Sequence, residues 1–200
     1  MTRAKQENIK HINKPFDFIL FITILVMLSL GIIMVLSASS PSALAESGDS
    51  YDYVKTQGVS AVVGIILMLI ISKIDYRIYS KFYKILYWVS IIILLSVAIP
   101  GLGYSANGAT RWINLGFTTI QPSELVKVAM IIFFSTYLSK NRDKLKGLWE
   151  GFLKPFMILA PIILILVLVQ DHLSASLVII LIVSVIMLMA GTRFRYFATI

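Results

Sequence analysis

Long apolar stretches separated by short polar connections set the pattern of this chain. The first, 18–38, runs without a charged side chain and is long enough as a helix to cross a hydrocarbon core of about 30 Å. Five more follow, and the pattern predicts spans over 18–38, 56–72, 85–99, 125–138, 155–170 and 173–190. The third and fifth are short, which tilt or flanking residues accommodate. The first is too long for the apolar part of a cleaved signal and many spans follow it, so it is read as a span. The expectation is an all-α, polytopic transmembrane protein of about six spans, with 1–17 as an N-terminal tail and 18–200 as the membrane domain.

Composition strengthens this picture. Of the 200 residues, 58% are hydrophobic and 14% charged, whereas a soluble domain carries about 25% charged residues. The net charge of +8 raises nucleic acid as a partner, but the placement of the bases argues against it. Arg3, Lys5, Lys10 and Lys14 lie in the tail, and Lys73, Arg77, Lys81 and Lys84 in the second connection. Lys140, Arg142, Lys144, Lys146 and Lys154 lie in the fourth connection, and Arg193 and Arg195 after the last span. Only Lys55, Arg111 and Lys127 fall elsewhere. Bases confined to alternate connections mark the cytoplasmic side, so the N-terminus is cytoplasmic. The absence of cysteine rules out disulfides and thiolate metal sites. The two histidines, His11 and His172, are isolated, and no metal-ligand pattern is visible.

The connections differ in character. Segment 39–55 is polar and mildly acidic (Glu46, Asp49, Asp52) and is expected to be a solvated outer loop. Segment 73–84 interleaves Tyr76, Tyr79, Phe82 and Tyr83 with bases, and 140–154 combines bases with Trp149. Both suit a membrane interface with anionic headgroups.

The outer segment 100–124 is more informative. It is punctuated by Gly101, Gly103, Gly108 and Gly116, and carries Arg111, Trp112, Ile113, Leu115, Phe117 and Ile120. Asn107-Gly108 favours a turn with positive φ. Such mixed content predicts a segment in, or dipping into, the outer interface, which needs protein or a water-filled cavity around it. Gln121-Pro122-Ser123-Glu124 then opens a helix, with Pro122 suited to the first helical position. Gln121 and Glu124 form a weak variant of a capping box. Glu124 complements the helix dipole, and Lys127, three residues on, faces the same way. Two readings of Glu124 and Lys127 stand side by side: a pair fixing where the helix enters the membrane, or charges lining a polar cavity for a head group. Arg111 is either an interfacial anchor or a bidentate phosphate contact. Trp112 is read as an interfacial anchor, and His172 likewise as an interfacial histidine.

Asn107-Gly108-Ala109-Thr110-Arg111-Trp112-Ile113-Asn114-Leu115-Gly116, followed by Gln121-Pro122-Ser123-Glu124-Leu125-Val126-Lys127, resembles the signature of the SEDS family, whose members include FtsW, RodA and SpoVE. Ser37-Ala38-Ser39, Lys55 with Gln57, and Ile74-Asp75-Tyr76-Arg77 add to the resemblance. The form of the motif is closest to the FtsW/SpoVE branch. One stretch departs: where the family commonly shows Gln-Pro-Asp-Leu-Gly-Thr, this chain has Gln170-Asp171-His172-Leu173-Ser174-Ala175. That change leaves the geometry of the helix end, and any role for Asp171, open.

The resemblance implies a fold of about ten spans, of which this chain carries the first six or so. It implies a multi-pass protein of the bacterial cytoplasmic membrane. It further implies a peptidoglycan glycosyltransferase that polymerises lipid II at the outer face during division or sporulation, with a class B penicillin-binding protein as partner. The family's key acidic residue is expected beyond Ile200, so the catalytic base is not assigned here, and the chain is expected to be a fragment or a truncated product. The expected cavity residues are Arg111, Glu124 and Lys127, within the motif positions Asn107, Gly108, Trp112, Gln121, Pro122 and Ser123. No cofactor is evident, although a divalent cation is compatible with the family's chemistry. A precursor flippase, or a non-catalytic scaffold for the penicillin-binding protein, remains as an alternative.

Overall fold

A computed structural model of the chain describes residues 16–106, 109–114 and 119–198. These form two compact units, Met1–Ile74 and Asp75–Ile200.

The first unit is a pair of helices. α1 (Phe18–Ser47) starts at Asp17, whose side chain accepts from the backbone N–H of Leu20 at 2.9 Å. This N-cap satisfies a donor that the first turn leaves free. α1 ends at Gly48, where φ is 75° and the N–H bonds to the Leu44 carbonyl. The outer loop expected from residue 39 onward is therefore helical for two further turns. Ala43, Leu44 and Ala45 favour helix strongly, and Gly48 is the first residue that takes the left-handed terminus without strain. At 30 residues, α1 is about 45 Å long and outruns the hydrocarbon core. α2 (Asp52–Ile71) follows after a turn in which Asp49 pairs with Lys55. Apart from Ala43, neither helix contains a buried residue among those whose side chains are described. Ile19 and Met34, for example, are 81% and 71% exposed, surfaces that only lipid or another apolar partner can solvate.

The second unit contains α3 (Tyr76–Lys81), α4 (Tyr83–Ser96), α5 (Pro122–Lys140), α6 (Lys154–Leu168), α7 (Leu173–Ala190) and a short α8 (Arg195–Ala198). α5 packs on α4 and α7, and α6 on the same two. Each helix supplies one stripe to the core. On α5 the stripe is Val126, Met130, Phe133, Phe134 and Leu138; on α6 it is Leu159, Ile162 and Leu166; on α7 it is Ala175, Ile179, Val183 and Met187. These three-, four- and seven-residue spacings keep a stripe on one helical face. Tyr87 on α4 donates to the Ile158 carbonyl of α6 at 2.8 Å, and its ring lies 4.9 Å from that of Phe133. A 3₁₀ turn (Arg142–Lys144) and a π-helical turn (Trp149–Leu153) join α5 to α6. Gly151 sits there because a Cβ would collide with the Leu145 carbonyl.

Among the described residues, four helical stretches are long and apolar enough to cross a membrane: Phe18–Ala45, Asp52–Ile71, Trp149–Leu168 and Leu173–Ala190. α4 is apolar but shorter, and α5 carries Glu124 and Lys127 near its start. The outer segment also adds an element that the apolar pattern did not announce. β1 (Gly103–Ala106), β2 (Ala109–Asn114) and β3 (Thr119–Ile120) form an antiparallel sheet in the order β1-β2-β3. Pairing satisfies backbone groups that would otherwise face the interface unpartnered.

Candidate functional site at the outer end of the bundle

The sheet determines where Arg111 points. Tyr104 pairs with Trp112 and Ser105 with Thr110, so the register shifts by one residue and Arg111 stands unpaired between them. A bulge of this kind bends the strand and redirects the extra side chain. Half-buried, Arg111 reaches the link between α6 and α7: its Nε donates to the Gln170 carbonyl at 3.3 Å and its Nη2 to the Asp171 carbonyl at 2.7 Å. Asp171 has φ 47°, a left-handed conformation that aspartate tolerates better than most residues. Where the family pattern has its proline, this chain thus has an aspartate in a tight turn whose carbonyl faces the guanidinium, and Ser174 stands at the position of the glycine.

Gln121 precedes α5 and Pro122 is its first residue, as the sequence predicts. The capping box does not form. The Gln121 side chain makes no cap; its Nε2 lies 2.6 Å from Nε2 of His172, and Glu124 pairs instead with Lys127 at 2.7 Å. The Lys127 side chain is 25% exposed and that of Glu124 58%, so the ammonium is the more shielded partner. This contact ties a lysine one turn into the helix to its nearest carboxylate, as expected for a charge at membrane depth.

His172, read as an interfacial histidine, is 8% exposed and packs beside the start of α5. An amide nitrogen facing Nε2 requires a neutral ring with its proton on Nδ1, which lies 3.4 Å from the Ser174 hydroxyl. Burial pushes the imidazole below its ordinary value and the Arg111 charge adds to this; Glu124 opposes, and Lys127 acts with Arg111. His172 therefore senses all three expected cavity residues. Gln170 is equally unanticipated: almost fully buried, it donates through Nε2 to the Leu94 carbonyl at 2.9 Å. Its Oε1 and the hydroxyl of the fully buried Ser123 have no hydrogen-bond partner among the described residues. The only sequence signal for these residues is the polar run at the end of an apolar stretch. Trp112 lies half-buried in β2, while Asn107 and Gly108 fall outside the described residues.

Arg111 spends two of its five donors on carbonyls, and Lys127 adds a second cation. Among the described residues, no three His, Asp or Glu side chains gather as a metal-binding group.

Apolar helices, bases on alternate connections and a polar cluster at one end define a multi-pass bacterial membrane protein. Residues 18–200 match the FtsW/RodA/SpoVE family of cell cycle proteins, and the chain belongs to that family. It is 36% identical over 189 residues to the probable peptidoglycan glycosyltransferase FtsW of Geobacter sulfurreducens, covering 94% of this chain and 50% of that protein. The protein of the same description from Saccharophagus degradans is 33% identical over 184 residues, covering 92% and 47%. The fold is similar to a chain of a peptidoglycan synthase complex solved to study the coordination of polymerization and crosslinking. There the TM-score is 0.68 and the identity 24%, covering 88% of this chain and 49% of the other. Rod shape determining protein RodA of Thermus thermophilus gives a TM-score of 0.63 at 22% identity, covering 84% and 56%. The chain spans about half the length of the curated relatives it matches.

Proposed function

We propose that this chain is part of a peptidoglycan glycosyltransferase that polymerises lipid II at the outer face of the cytoplasmic membrane. The outer cluster holds the pyrophosphate of the lipid-linked substrate. One observation carries this reading: the bulge in β2 directs Arg111 onto the link between α6 and α7, beside a histidine that also feels Lys127 and Glu124. Glycosyl transfer from a pyrophosphate needs cationic support for the departing oxygens and a base on the acceptor hydroxyl. Arg111 and Lys127 supply the support, and Glu124 orients Lys127. The base belongs to the part of the relatives' length that this chain does not cover. A class B penicillin-binding protein cross-links the product.

The test uses the full-length protein with its partner and purified lipid II. Arg111→Ala and Lys127→Ala are each expected to slow polymerisation by about 10²-fold, the scale of losing one preorganised charge-stabilising donor. Wild-type rates from well-folded variants would overturn the assignment. Movement of the lipid across proteoliposomes without polymerisation would replace the transferase with a flippase.

A further inference from the structure

The opposite end of the same helices carries a cleft that the proposed transferase does not use. Between the C-terminal turns of α5 and α7 lies a cleft of about 340 Å³, lined by Ser135, Leu138, Ser139, Arg142, Ile186 and Met189. Ser135 and Ser139, four residues apart on α5, share one face, and Arg142 lines the same cleft from the 3₁₀ turn that follows. Several serine and threonine hydroxyls in the apolar helices bond back to the carbonyl four residues earlier, among them Thr23, Ser29, Ser39, Ser60 and Ser90. Ser135 and Ser139 make no such bond among the described residues, and Arg142 makes no ion pair among them. Three donors on one wall are therefore uncommitted. The rest of the lining is apolar, and Met189, Val185 and Leu181 are exposed on α7.

We propose that this cleft binds an anionic phospholipid of the cytoplasmic leaflet. Arg142 and the Ser139 hydroxyl hold the phosphodiester. Ser135, one turn or about 5.4 Å deeper, reaches the glycerol ester level, and an acyl chain lies along Leu138, Ile186 and Met189. Two observations select this occupant. The lining is amphiphilic, a cation and two hydroxyls beside apolar side chains, which matches a lipid rather than a helix. Arg142 also belongs to a connection that carries Lys140, Lys144 and Lys146, with Asp143 the one acid among residues 140–146; basic clefts at the cytoplasmic ends of helices attract anionic headgroups. A helix about 10 Å across has no room between α5 and α7, which already pack on each other.

The protein is placed in nanodiscs of phosphatidylcholine with graded phosphatidylglycerol, and lipid retention is read by native mass spectrometry. Preferential retention of phosphatidylglycerol is expected. Arg142→Gln should weaken it roughly fivefold, the factor associated with one base near an anionic surface, whereas Lys146→Gln, on the same loop but outside the cleft, should leave it near wild type. Equal losses in the two variants would mean diffuse surface attraction and would overturn the site, as would no preference in wild type. A photo-crosslinking residue in place of Ser139, in the full-length protein, should conjugate to phospholipid. Conjugation to polypeptide instead would show a protein segment in the cleft and would also overturn it.

Discussion

His172 meets Gln121, Ser174 and the field of Arg111 at one buried ring. Burial and the guanidinium both favour the neutral form, so the folded state binds its proton less readily than the unfolded chain does. Between the depressed folded value and the ordinary value of about 6.5, the unfolded chain carries more protons and stability rises with pH. Acidification from neutrality through this window should lower the unfolding midpoint, and His172→Gln should flatten that dependence. The imidazole resonance of a ¹⁵N-histidine sample should titrate below 6.5 and move upward in Arg111→Gln, since the repelling charge is gone. An unchanged titration in that variant would separate His172 from Arg111. Gln170 offers a second check at this scale. Gln170→Leu leaves the buried Leu94 carbonyl without its donor and is expected to cost about 1–3 kcal/mol, read as a lower unfolding midpoint in detergent.

At the scale of elements, the sheet and its anchor matter most. β1 begins at Gly103, where a Cβ would run into the carbonyl of Val97 at the end of α4. Backbone cannot give way as a flexible side chain can. Gly103→Ala should therefore displace β1 and loosen the pairing that creates the bulge at Arg111. The expected cost is about 1–3 kcal/mol, the scale of overpacking a close contact. Cysteine introduced at Tyr104 should then label faster than the same cysteine beside the native glycine. An unaltered labelling rate would mean that the sheet does not depend on this approach. The contrast with α1 is informative. There the polar content of 39–55 suggests a loop, yet Ala43, Leu44 and Ala45 carry the helix on to a left-handed glycine. Local helix preference outweighs the polar pattern where lipid contact no longer dictates which residues can follow.

At the scale of the whole molecule, topology is the testable quantity. The chain has no cysteine, so single cysteines report sidedness without background. Tyr51→Cys should react with an impermeant maleimide from outside intact cells, while Lys81→Cys and Lys144→Cys should react only after permeabilisation. The reverse pattern would invert the chain and place the Arg111 cluster on the wrong side for an outer-leaflet substrate.

The sequence by itself determines the membrane class and the helical architecture, and it predicts the orientation. Those rest on summed hydrophobicity and on charges in connections, which act locally and need no knowledge of neighbours. It also names Arg111, Glu124 and Lys127, because a charge at membrane depth stands out whatever surrounds it. Only the tertiary structure joins Arg111 to the carbonyls of residues 170 and 171 and Gln121 to His172, across separations of 51 to 60 positions in the chain. Those contacts depend on a strand bulge and a left-handed aspartate, two backbone choices with no periodic signature. Their energy comes from burial and hydrogen bonding that exist only once α5, α6 and α7 have packed.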